Sequence, residues 1–194
     1  MDVSTLHAAT ETLAEFLSEV TQGDLRQSTP VPAWDVGDLY LHLIGRNSDI
    51  AAAVAQESVV LDPLRADAIA RSDLDASANL YGGGFEERYR QAARRMEYAF
   101  ASVSDAELRI NMDDVDVTVG AVYENQVNET VLHTWDLASA MGFSYQPASD
   151  VARRIVESML QSPLGDVDAI WHCALRMSGR MPVAEGGRMS QLVI

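Results

Sequence analysis

Hydrophobic positions at the start of the chain recur at helical spacing. Leu6, Leu13, Phe16, Leu17 and Val20 share one stripe, with Glu11, Glu15 and Glu19 between them. This predicts an amphipathic helix over residues 3–21, stopped by Gly23. The proline-punctuated stretch T-P-V-P-A-W-D, Thr29 to Asp35, breaks the pattern and places Asp35 to cap the next helix. That helix, residues 36–55, aligns Leu39, Leu43, Ile50 and Val54. From Glu57 to Asn79 the periodicity fades, leaving a short helix over residues 64–70 between loops. Gly82-Gly83-Gly84 then frees the backbone before a strong helix over residues 85–103, with Tyr89, Ala93, Met96 and Phe100 inward. The triple glycine lacks the strand and the Lys or Ser/Thr pattern of a phosphate-cradling loop, so it reads as a flexible joint.

Residues 108–119 alternate in the manner of strands and predict a short hairpin or an extended connector. A long helix follows over residues 120–141, with Gly142 as its stop. Further helices are expected over residues 149–160 and 167–177, before a loop or strand at M-P-V-A-E-G-G-R. The fold class is therefore all-α: an up-and-down four-helix bundle with a long crossover between its second and third principal helices. Residues 1–145 form the bundle, and residues 146–194 form a small C-terminal extension packed on it.

Composition narrows the function classes. The 194 residues are 47% hydrophobic, enough for one ordinary core, and carry a net charge of −15. No basic run longer than Arg94-Arg95 or Arg153-Arg154 interrupts that charge, so nucleic acid and anionic membrane are excluded as partners. The single cysteine, Cys173, rules out an intrachain disulfide and a thiolate metal cluster, and a buried structural thiol is expected there. There is no signal-peptide pattern and no apolar run near the roughly 20 residues that span a bilayer, so a cytoplasmic location is expected.

Candidate chemistry lies in two helices. Asn125, Glu129 and His133 stand at i, i+4 and i+8 of the long helix, and His42 sits among Leu39, Leu41, Leu43 and Ile44 of the second. A carboxylate turned into a bundle needs compensation. Two imidazoles and one carboxylate around a divalent cation would supply it, leaving an open position for water or substrate. The plain alternatives are a core histidine bonded to a carbonyl and an ordinary i, i+4 pair.

The segment T-P-V-P-A-W-D-V-G-D-L-Y-L-H-L-I-G, Thr29 to Gly45, and the segment N-E-T-V-L-H-T-W-D-L-A-S-A-M-G, Asn128 to Gly142, together resemble the mycothiol-dependent maleylpyruvate isomerase family, part of the DinB/YfiT-like group of metal-binding four-helix bundles. The resemblance implies that His42, Glu129 and His133 ligate a divalent metal, usually zinc, although the donor set also suits nickel or iron. It implies a low-molecular-weight thiol as cosubstrate, mycothiol in actinobacteria, activated for transfer to, or isomerisation of, a small electrophile. About fifty residues follow Gly142, too few for the isomerase's C-terminal α/β domain at full size, which points to a thiol transferase. Relatives include dimers, so a homodimer is one expected assembly.

Arg46 and Asn125 are the candidate cosubstrate-binding residues, with Arg46 placed to meet a carboxylate or a surface acid. Gln126 and Asn128 would line a wet pocket or bond the ligands. Asp35 and Asp136, each following a tryptophan (Trp34 and Trp135), are explained by capping and packing. His7 and His172 have no acid at ligand spacing, and surface or packing roles are expected. The competing function is a non-catalytic metal-binding bundle that binds a ligand or serves a partner protein.

Overall fold

The computed structural model describes residues 1–56, 71–76, 84–112, 114–161 and 169–181. Helix α1 runs Ser4–Ser18 and ends three residues before the expected end at residue 21. A capping box between Thr21 and Asp24 opens a separate 3-10 turn over Gln22–Arg26, so Gly23 lies inside a new element rather than terminating the old one. Helix α2, Val36–Val54, starts as expected from Asp35, whose carboxylate accepts from the Asp38 N–H. The reciprocal bond from the Asp35 N–H to the Asp38 carboxylate completes the box.

The short helix expected over residues 64–70 lies outside the described residues, as do Gly82 and Gly83. Arg71–Ala76, expected as loop, form helix α3. Gly84 takes φ +100° immediately before α4, Phe85–Ser102, a left-handed geometry that favours glycine. The alternating stretch forms a hairpin of β1, Arg109–Met112, and β2, Val115–Thr118, with Arg109 opposite Thr118 and Met112 opposite Val115.

Thr118 then caps α5, Val119–Ala140, accepting from the Ala121 N–H at 3.2 Å. Thr118→Ala is expected to lower stability by about 1 kcal/mol in chemical denaturation, since that first-turn donor loses its partner.

Helix α1 packs on α4 and α5, and α2 packs on the same two. The neighbours therefore alternate around a four-helix bundle, and α2 and α5 share an interface although the chain between them is long. Two apolar clusters fill the interior. One gathers Leu13, Leu17, Leu39, Leu43, Tyr89 and Leu137; the other gathers Leu6, Ile50, Met96, Phe100 and Val127. Polar residues are buried as well: Thr10 on α1, Asn47 on α2, and Thr130 and His133 on α5. Glu97 of α4, also nearly buried, accepts from Thr10 Oγ1 at 2.5 Å and pairs with His7 Nδ1 at 2.9 Å. His7 thus does have an acidic partner, ninety positions away, where no local spacing shows it.

Residues 1–145 form one compact unit and residues 146–194 another. In the second, α6 (Ser149–Leu160) and α7 (Ile170–Met177) pack together, burying Ala152, Ile155 and Val156 of the first and Trp171, Ala174 and Leu175 of the second. Cys173 is only half-buried, its Sγ 3.9 Å from Met177 Sδ, so it is more open than the core thiol expected. Among the described residues, no helix is long and apolar enough to cross a membrane.

Candidate metal and thiol site

The α2–α5 interface brings the predicted residues together. His42, Leu43 and Arg46 of α2 and Asn125, Gln126, Glu129, Thr130 and His133 of α5 line one cavity of about 160 Å³. All five sequence-predicted site residues are among them. Helical spacing explains the register: positions 42 and 46, and positions 125, 129 and 133, each project from successive turns of one face.

The two imidazoles meet edge to face with ring centroids 5.2 Å apart. His133 Nε2 lies 3.5 Å from Glu129 Oε2, and its Nδ1 lies 2.9 Å from Asp136 Oδ2. Asp136 is wholly buried. A carboxylate can only accept, so Nδ1 carries a proton, and Nε2 is the ring atom that faces Glu129. Asp136 does more than the capping or packing expected from sequence: its buried carboxylate fixes the tautomer of His133. The three-residue spacing was visible, but an i, i+3 pair on a helix declares itself as a buried partner only when the burial is known.

Burial, helped by the charges of His133 and Arg46, pushes the pKa of His42 down to about 4, so its ring is neutral near pH 7. Trp34 covers both rings, its indole 4.7 Å from His42 and 6.2 Å from His133, the latter stacked at 22°. Among the amides, Gln126 Nε2 donates to Asn47 Oδ1 at 3.0 Å rather than to a site histidine. Asn125 is exposed at the cavity mouth, and Asn128 is buried without lining the cavity.

Fitness for a cation can be judged from the donors. His133 Nε2 and Glu129 Oε2 face each other at 3.5 Å, close enough to pair directly as imidazolium and carboxylate or to share a cation. Tetrahedral zinc, with bonds of about 2.0–2.2 Å, sets neighbouring ligand atoms roughly 3.4 Å apart. The Nε2–Oε2 pair has about the spacing of two such ligands, and His42 lines the same cavity. Among the described residues, however, no group of three or more His, Cys, Asp or Glu side chains is already clustered for metal binding. The Glu129 side chain, 41% exposed against 7% for His133, is the more open of that pair to adjustment.

Comparison with known proteins adds the lineage. The profile of the mycothiol maleylpyruvate isomerase N-terminal domain family matches residues 6–138. The chain belongs to that family. Two crystal structures of the mycothiol-dependent maleylpyruvate isomerase, one of a histidine-to-alanine mutant, share the fold of this family member with TM-scores of 0.63 and 0.62. Identity is 10% and 12%, and in each case the likeness covers 92% of this chain and 88% of the solved chain. The length deficit after Gly142 is thus smaller against those chains than the sequence reading expected. No curated protein sequence matches.

Proposed function

We propose that this member of the isomerase family is a divalent-metal-dependent enzyme that uses a mycothiol-like thiol to attack a small electrophile. The single observation carrying the reading is the Nε2–Oε2 separation of 3.5 Å between His133 and Glu129, beside the neutral His42 in one cavity. His42, Glu129 and His133 would hold the ion, with zinc favoured by the nitrogen and oxygen donors and nickel or iron also suited to them. When bound, the ion supplies a Lewis acid that keeps a thiol deprotonated at neutral pH.

The protein residues do the rest. Asp136 holds His133 in the tautomer that offers Nε2. Arg46 enters the cavity one turn beyond His42, where its fork can take a carboxylate of the electrophile. Asn125, at the mouth, offers amide groups to the polar body of the thiol. At about 160 Å³, the cavity is smaller than the roughly 300–1,000 Å³ of a pocket enclosing a drug-sized ligand, so it receives only the reacting ends. Thiolate addition followed by collapse of the adduct gives isomerisation; retention of the adduct gives an S-conjugate. The half-buried Cys173 has no part in this scheme.

The test is incubation of metal-loaded protein with mycothiol and a panel of electrophiles, unsaturated keto acids included, read by mass spectrometry. Metal-dependent loss of thiol or isomerisation is expected, and a chelator should abolish it. Among the described residues no three donors are preclustered, which favours a second reading, in which His133 and Glu129 simply pair with each other and the bundle binds a ligand without turnover. Inertness toward the whole panel, with ligand binding retained, would select that second reading.

A further inference from the structure

Helix α3 reaches into the start of α2 through one guanidinium. Arg71 Nη1 donates to Asp35 Oδ1 at 2.7 Å and to Asp38 Oδ1 at 2.6 Å. Its Nη2 donates to Asp35 Oδ2 at 2.7 Å and to the Leu25 carbonyl at 3.3 Å, and its Nε to Asp75 Oδ1 at 3.1 Å. The fork grips both oxygens of Asp35, an arrangement that lysine cannot reproduce. The Arg71 bond also holds the Asp35 carboxyl at a pKa of about 2, although burial pushes the other way.

Gly37 leaves room for this clamp. A Cβ at Gly37 would stand 2.6 Å from Arg71 Cζ, so the guanidinium lies against bare helix backbone. The residue before Asp35 is Trp34. Its carbonyl accepts from the Thr29 N–H at 3.0 Å and the Thr29 hydroxyl at 3.1 Å, which ties down the other side of the turn. Its indole rests on His42 and His133 yet does not line the cavity between them and Arg46. Trp34 therefore backs the imidazoles from behind, and the clamp fixes the turn that carries Trp34.

We propose that Arg71 is a positioning residue for the candidate site, acting through Asp35 and the Trp34 indole to set the orientation of His42 and His133. The link runs from Arg71 through Asp35 and Trp34 to the two histidines and needs no bound metal. Its consequence for metal affinity rests on the functional reading above; the positioning itself does not.

The experiment reads the imidazole proton resonances of metal-free protein by NMR. Trp34→Leu removes the indole ring current and marks where the His42 and His133 signals lie without it. Arg71→Met is expected to move both signals toward those positions, while His7 and His172 stay fixed. Arg71→Lys should recover only part of the shift. Arg26→Met, which removes the neighbouring guanidinium paired with Asp75, should change neither signal. Gly37→Ala, which displaces Arg71 without removing its charge, is the second variant should Arg71→Met fold poorly, and it should move the same two signals. In metal-loaded protein, Arg71→Met is expected to weaken binding by about tenfold or more, the range seen when outer partners of ligands are lost. Wild-type positions for His42 and His133 in both Arg71→Met and Gly37→Ala would overturn the proposal. A wild-type protein that takes up no metal would refute the functional reading and leave the ring-current result intact.

Discussion

His42→Ala is expected to purify with almost no divalent metal, where the wild type carries about one equivalent on three protein ligands. Elemental analysis of the two proteins side by side checks it. Glu129 and His133 stand on one helix and can approach each other without help from the rest of the bundle. In the proposed site His42 is the donor that arrives from α2, and without it the remaining two would enclose an ion on one side only. Affinity should fall by more than the roughly 10–100-fold typical of losing an outer hydrogen-bond partner. The bundle itself should survive, because His42 is half-buried and exchange for alanine leaves the flanking Leu39, Leu43 and Ile44 in place. Equal metal in the two samples would rule out the proposed trio.

Asp136→Ala should combine two losses. The carboxylate is fully buried and accepts from His133 Nδ1 at 2.9 Å. Its removal strands a buried ring N–H and forfeits a hydrogen bond to a charged group, expected to cost about 1.5–3 kcal/mol in denaturant unfolding. The released imidazole is then free to exchange tautomers, which turns an N–H toward Glu129 for part of the time and blocks the donor atom. Metal affinity is accordingly expected to drop about 10–100-fold. Asp136→Asn separates the two effects, since it keeps the volume but offers an ambiguous partner to Nδ1. Its affinity should fall with a smaller loss of stability. Unchanged affinity in both variants would remove Asp136 from the site.

The parts of this molecule readable from sequence are those with local causes. The apolar stripes placed α2, α4, α5 and α6 within a residue or so of their observed ends, because each stripe repeats with the helix itself. Alternation over residues 108–119 left a hairpin or an extended connector open, and the structure has the hairpin. The gathering of His42 with Glu129 and His133 was also foreseen, from inward-facing polar residues on two helices. What escaped notice depends on partners far along the chain. Arg71 meets Asp35 across 36 positions, and His7 meets Glu97 across 90. The Asn47–Gln126 bond spans 79 and has no sequence signature either. Gly23 misled for a different reason: a Thr21–Asp24 box four residues long outcompeted glycine as the local signal. Asp136 was visible, but only its complete burial distinguishes a tautomer-setting acid from an ordinary polar residue.

The halves of the candidate site come from helices that are neighbours in space and distant along the chain, with the hairpin and α4 between them. No local fragment holds the proposed donor set, so tight ion capture would have to wait until α5 has docked against α2. An ion that binds the finished bundle and not its precursors adds its binding free energy to folding. Metal supply would then act as a quality check on each newly made molecule: chains with a loosely seated fifth helix stay empty and are left more easily unravelled than their loaded counterparts.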